Sequence, residues 1–231
     1  MSASFSSPSP DTLPVLYSFR RCPYAMRARL ALAYSGEAVE LRDILLKDKP
    51  AEMIAASPKA TVPVLVLQDG TVIEESIDIV WWALGRSDPM GWLPDDGELR
   101  SEAHALIQEN DGPFKSALDK YKYFVRFPEK SQTDYRQSGE EFLAELERRL
   151  EKQAFLLGDR FSVADAAIFP FIRQFANSDR DWFKSAPYPK LQQWLEARTS
   201  SDGFSYIMKK RPIWQPDTPG ILFPDCPLTD F

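Results

Sequence analysis

The 231-residue sequence holds only two cysteines, Cys22 and Cys226, and a single histidine. Two thiols are too few for a disulfide framework, and a reducing compartment keeps both free unless chemistry uses them. With one histidine beside them, they also argue against a zinc site. Nowhere do about 18 consecutive apolar residues occur, so no segment reads as a membrane-spanning helix. Met1 to Pro10 is rich in serine and proline and lacks the basic start and apolar run of a secretory signal. These absences lead us to expect a soluble, intracellular protein, placed in the cytoplasm. Positive charge is not in excess either: 28 Lys and Arg face 34 Asp and Glu, and the net charge of -6 argues against nucleic acid or an anionic membrane as the main partner. There is no internal repeat and no low-complexity domain. What is present is 44 % hydrophobic, enough for one large or two modest cores, with small molecules as the expected partners.

Val15 to Ser18 reads as a short buried strand, and Pro23 is placed to open a helix carrying Ala25, Arg29, Leu32 and Ala33 that Gly36 ends. Val39 to Ile44 alternates as a half-buried strand, and Pro50 opens a short helix through Ala56. Val64 to Leu67 and Thr71 to Ile73 flank Asp69-Gly70, a hairpin-turn dipeptide, so this pair is expected to be antiparallel. Ser76 can then cap a helix through Ile79, Trp82 and Leu84. The order is βαβ, a linking helix, then ββα. Ser87-Asp88-Pro89 to Pro94-Asp95-Asp96-Gly97 concentrates turn formers and marks a boundary. Beyond it the periodicity is helical, over Glu98 to Leu118, Tyr135 to Leu157, Val163 to Asn177 and Lys190 to Arg198, with Gly112-Pro113 kinking the first. Ser162 to Asp165 resembles a capping box. Residues 211–231 contain five prolines and read as an extended tail over the surface. The expected organisation is an α+β domain over residues 12–87, an all-helical domain over 97–210, and the tail.

Cys22 is the informative residue. It lies between a strand end and a helix start, where unpaired backbone N–H groups favour an anion and hence the thiolate, and Arg20, Arg21 and Arg27 add positive charge. A thiolate so placed is both nucleophile and leaving group, as thiol–disulfide exchange requires. Buried cysteines are often small apolar fillers, but these charged, turn-adjacent surroundings are not a core. Cys22-Pro23-Tyr24-Ala25 has alanine where a two-cysteine redox motif has its resolving thiol, so an outside thiol must resolve any disulfide, and glutathione is the abundant intracellular one. Cys226 stands in the proline-rich tail and is read as incidental. Val62-Pro63 is a setting for a cis peptide bond, although only about one in twenty X–Pro bonds is cis. Glu75-Ser76 offers a carboxylate, a hydroxyl and helix-start N–H donors to a zwitterion, while Ser76 alone is equally an ordinary cap. Lys47 and Lys49 are ordinarily just solvated. His104 suggests a Cys-His pair for which no third partner is identifiable. Tyr121, Tyr123, Phe124 and Phe127 suit either an apolar pocket or a helical core.

Taken together, Tyr17 to Ala25, Val62-Pro63-Val64-Leu65 and Glu75-Ser76 resemble the cytosolic glutathione transferase family over nearly the whole chain, and Cys-Pro-Tyr-Ala looks like its omega-type and bacterial cysteine enzymes and is similar to glutaredoxins. The resemblance implies a thioredoxin-like N-terminal domain that binds glutathione and a helical C-terminal domain that supplies the second substrate's pocket. It implies that Cys22 is catalytic, that Val62 before a cis-Pro63 pairs its backbone with the cysteinyl part of glutathione, and that Glu75 and Ser76 hold the γ-glutamyl end. Lys49 matches a lysine at the glycyl end, with Lys47 and Lys59 as close alternatives. Glutathione-dependent thiol–disulfide exchange follows as the expected activity, on small or protein mixed disulfides and extending to dehydroascorbate, with a homodimer as the expected assembly. Conjugation of electrophiles, with Tyr17 or Ser18 activating the thiol of glutathione, is the alternative. A non-catalytic ligand-binding protein of the same fold is the third reading.

Overall fold

The computed structural model describes residues 13–226; the serine- and proline-rich start, the expected boundary at position 12 and the tail beyond 226 lie outside the described residues. The described chain divides into two compact units, residues 13–89 with 206–226 and residues 90–205.

In the first unit, β1 (Val15–Ser18) leads into α1 (Pro23–Ser35), β2 (Val39–Asp43) and α2 (Ala51–Ala56), and then β3 (Val64–Val66), β4 (Val72–Ile73) and α3 (Ser76–Arg86). Gly36, at φ 75°, ends α1 in the left-handed conformation that costs a glycine little. β1 and β2 pair in parallel, Ser18 opposite Asp43, because α1 carries the chain back between them. β3 lies antiparallel to β1 and to β4, and the hairpin turns at Gly70, φ 85°. α1 is buried along almost its whole length and packs on α3.

The tail differs from the sequence reading. Ile221–Phe223 forms β5, antiparallel to β2, and extends the sheet to the order β4-β3-β1-β2-β5. Three residues of the expected surface tail therefore form an edge strand of the first unit. Gly220 permits the approach: its N–H donates to Glu40 Oε1 at 2.8 Å, and a Cβ there would stand 2.6 Å from Glu40 Cγ. β2 is almost wholly buried rather than half-buried, and β5 covers its outer edge.

The second unit is helical. α4 (Gly97–Glu109) runs through a π-helical turn at Asn110–Phe114 into α5 (Lys115–Lys122), and a short 3-10 turn at Phe124–Arg126 precedes α6 (Gln132–Leu150). The π turn holds Gly112-Pro113: Pro113 has no N–H to donate, so the ladder widens there and the helix continues. α7 (Val163–Ala176), α8 (Arg180–Ser185), α9 (Pro189–Thr199) and α10 (Asp202–Met208) follow. α6 stops at Leu150, short of the expected Leu157, and residues 151–161 turn instead. Asp165 anchors α7. Its Oδ2 accepts from the Ser162 N–H at 3.1 Å and from Ser162 Oγ at 2.7 Å, closing the expected box, while Oδ1 accepts from the Leu156 N–H and from Trp194 Nε1. Burial pushes its carboxyl above the usual range although these hydrogen bonds oppose that.

All four bonds need acceptors, and an Asn side chain turned one way points its amino group at the Leu156 and Trp194 N–H groups, and turned the other way at the Ser162 N–H. Asp165→Asn is therefore expected to cost about 2–4 kcal/mol of unfolding free energy, read as a lower urea midpoint. An unchanged midpoint contradicts this account of α7.

Candidate functional site

Cys22 is the N-cap of α1. Its N–H donates to the Phe19 carbonyl at 3.1 Å, tightening the loop after β1, and its own carbonyl accepts from the Met26 N–H at 2.9 Å. Its backbone is extended, φ -74° and ψ 125°, and Pro23 takes the first helical position, where no N–H is needed. The half-buried Cys22 side chain makes no capping bond to the first turn. Instead its Sγ lies 3.7 Å from the Val62 carbonyl oxygen and packs against the apolar cluster of Tyr17, Ile44, Met53, Val62, Val64 and Trp214. The Val62–Pro63 peptide is cis. The fold thus brings together two segments forty residues apart in sequence.

Ser76 lies at the start of α3 and is buried, but it does not cap that helix, whose N-cap is Glu75. Its Oγ accepts from Arg27 Nε at 3.0 Å. Arg27 is itself buried and lies over the Tyr24 ring, with Cζ 5.2 Å from the centroid. The sequence reading gives Arg27 as positive charge near Cys22, without its burial or its partner. The readable signal was that α1 has no polar face to hold an arginine outside, so both Arg27 and Arg29 have to be satisfied internally. Glu75 is exposed and ion-paired to Lys59, Nζ to Oε1 2.6 Å, and Lys59 also approaches Glu74 at 3.9 Å. Lys59 therefore stands beside Glu75, at the head of α3. Lys49 is half-buried in the loop before α2, and Lys47 is exposed.

The remaining candidates separate. Tyr17 is buried and its hydroxyl accepts from Arg42 Nη1 at 2.9 Å; burial raises its pKa, with Arg42 opposing. Ser18 is buried, and its Oγ accepts from Arg29. His104 is on α4, in the second unit. Tyr121 is a core residue whose ring is tilted against Phe175, Tyr123 and Phe124 are exposed, and Phe127 lines a cavity of about 510 Å³ with Pro113, Ala117 and Tyr135. Cys226 is exposed. Phe223 pairs with Val39 while Ser18 pairs with Asp43, so Cys226 and Cys22 follow opposite ends of a sheet segment about 13 Å long.

Comparison with known proteins bears on the family and the fold. The family described as "Glutathione S-transferase, N-terminal domain" matches residues 16–89, and "Glutathione S-transferase, C-terminal domain" matches residues 129–197. The maleylacetoacetate isomerase of Rattus norvegicus is 29 % identical over 90 % of this chain and 97 % of that protein. Glutathione S-transferase omega-1 of Mus musculus is 28 % identical, covering 82 % and 78 %. Protein IN2-1 homolog B of Oryza sativa subsp. indica is 30 % identical, covering 78 % and 74 %. Among solved structures, a glutathione transferase family member from Pseudomonas fluorescens, with two glutathione bound, superposes with a TM-score of 0.75 at 18 % identity over 89 % of this chain and 94 % of that one, a likeness of fold.

The Arg27–Ser76 bond fastens α1 to α3. Ser76→Ala leaves a buried guanidinium short of an acceptor and is expected to lower stability by about 1–3 kcal/mol, whereas Ser76→Thr keeps the oxygen and most of the stability. Equal thermal midpoints for the two variants contradict that role.

Proposed function

Because the chain belongs to the glutathione S-transferase family, we propose that it exchanges glutathionyl groups between disulfides and glutathione through Cys22. The observation that carries this reading is the half-buried Cys22 sulfur at a helix start, 3.7 Å from the backbone of the residue before cis-Pro63, with no second cysteine beside it. In the first step the Cys22 thiolate attacks the glutathionyl sulfur of a mixed disulfide. The Cys22–glutathione bond forms as the substrate's S–S bond breaks, and the substrate leaves as a thiolate that takes a proton from water. A second glutathione thiolate then attacks the Cys22–glutathione sulfur, releasing glutathione disulfide and restoring Cys22. No net oxidant is needed beyond the substrate disulfide.

The residues present suit glutathione. Val62 offers backbone groups to the cysteinyl portion. The α3 start offers N–H groups and Ser76 to the γ-glutamyl carboxylate, with Glu75 for the ammonium and Lys59 holding Glu75. Lys49 is assigned to the glycyl carboxylate. Conjugation through Tyr17 or Ser18 is less well supported, since both side chains are buried and burial raises the pKa of Tyr17. The match to nearly the whole length of maleylacetoacetate isomerases favours a second reading, a glutathione-dependent isomerisation in which glutathione adds to and leaves from the substrate. Retention of the complete thiol and Glu-Ser set argues against a non-catalytic carrier. We further assign a homodimer and a cytoplasmic location on the family resemblance; among the described residues no helix is long and apolar enough to cross a membrane.

The test is glutathione-dependent reduction of a small mixed disulfide by the native protein and by Cys22→Ala. The expected result is a loss of at least about a thousandfold in turnover, with glutathione binding retained by calorimetry. Disulfide reduction surviving in Cys22→Ala overturns the mechanism, and isomerase activity surviving there while disulfide reduction is absent in both favours the second reading.

A further inference from the structure

The chain from Tyr206 onward lies outside both stretches that match the family, yet it reaches the loop that carries Cys22. The link is Arg29. Its side chain is fully buried, and its guanidinium donates to Ser18 Oγ at the end of β1, and to the Phe19 carbonyl at 3.4 Å and the Arg20 carbonyl at 2.7 Å in the loop that ends at Cys22. Its Nε donates to the Ile207 carbonyl at 3.2 Å. One rigid fork therefore joins the Cys22 loop to the C-terminal strap, residues 206–226, a geometry that a lysine's single ammonium does not reproduce.

The strap is fastened at further points. Arg20 Nη1 donates to the Met208 carbonyl, the Trp214 N–H donates to the Asp43 carbonyl at 2.8 Å, and Trp214 meets Tyr17 edge to face in the apolar cluster on which the Cys22 sulfur rests. Tyr206 and Phe223 stack, with Arg211 over both rings. β5 then closes the strap on β2.

We propose that Arg29 is a positioning residue for the Cys22 thiol and that the C-terminal strap acts on the site through it. The proposal rests on the reading of Cys22 as a reactive thiol. The charged groups that act on one another at this junction are Arg20 on the loop, Arg29 on α1, Asp43 at the end of β2 and Arg211 on the strap, while Arg21 and Arg27 flank Cys22 in sequence. Tyr17 and Arg42 lie on the side of the apolar cluster. Burial pulls Arg29 down to about 10, Asp43 opposes that, and the guanidinium remains charged at neutral pH. Asp43 is buried with an Oδ1 that has no hydrogen-bond partner, and its carboxyl is pushed up by burial against the pull of Arg29, Arg211 and Arg20. Positive charge thus exceeds negative beneath the loop, and Arg29 supplies the share that is fixed in place.

The experiment is alkylation of the full chain with iodoacetamide across pH, resolved by peptide mass so that exposed Cys226 serves as the internal reference, together with disulfide-reduction kinetics. For Arg29→Met the pH midpoint of Cys22 alkylation is expected to rise, slowing the reaction on its acid side about tenfold, and kcat to fall while the KM for glutathione holds. Arg29→Lys keeps the charge without the fork and is expected to restore the midpoint but not kcat. Gly220→Ala, which crowds Glu40 on β2, is expected to speed amide exchange over 221–223 and to slow Cys22 in the same sense; it carries the test if Arg29→Met does not fold. A native Cys22 profile and kcat in folded Arg29→Met, or in Gly220→Ala with β5 released, overturns the inference. A native Cys22 that alkylates no faster than Cys226 fails the proposed function instead, in the unaltered protein.

Discussion

The structure of the first unit depends on one constraint: α1 is buried on nearly every side, so each polar group it carries must find an internal partner. The two arginines on it meet that demand in different directions. Arg27 reaches Ser76 and fixes α1 against α3, while Arg29 reaches back to the strand end and the loop before the helix. Exposed arginines at these positions would leave the start of α1 free to fray, as helix ends do. Here the helix start is held from two sides, and Cys22 is the residue at that start.

The second consequence concerns what surrounds the sulfur. The apolar cluster with Trp214, Tyr17 and Val62 lies against it, the Val62 carbonyl stands 3.7 Å away, and the loop that leads into it is held by the Arg29 guanidinium. The apolar side limits water around the thiol, and the cationic side favours the thiolate; together they suit a group that must attack a disulfide and later leave from one. The absence of a neighbouring cysteine directs the second half of the cycle to a free thiol.

Much of this arrangement was legible in the sequence because it is local. The Asp69-Gly70 turn, Gly36 at the end of α1 and the Ser162–Asp165 box each depend on a few adjacent residues, and each stands where it was read. β5 was not legible: three apolar residues between Gly220 and Pro224 carry too little pattern, and the strand exists because β2 offers an open edge. α8 and α10 are six and seven residues long, too short for helical periodicity to show. At the site, Cys22, Val62 and Ser76 were legible as motif positions, but not that Ser76 serves Arg27 rather than its own helix, nor that Lys59 pairs with Glu75. Those facts are set by contacts between segments 16 to 49 residues apart.

A thiol held by a buried arginine fork, resting on an apolar cluster and lacking a resolving partner, should accumulate as its mixed disulfide with glutathione when free glutathione is withheld. Peptide mapping by mass spectrometry after exposure to glutathione disulfide measures this directly. The account predicts a glutathionyl adduct on Cys22 that glutathione removes, with Cys226 modified far more slowly. An adduct confined to Cys226, or none on Cys22, contradicts it.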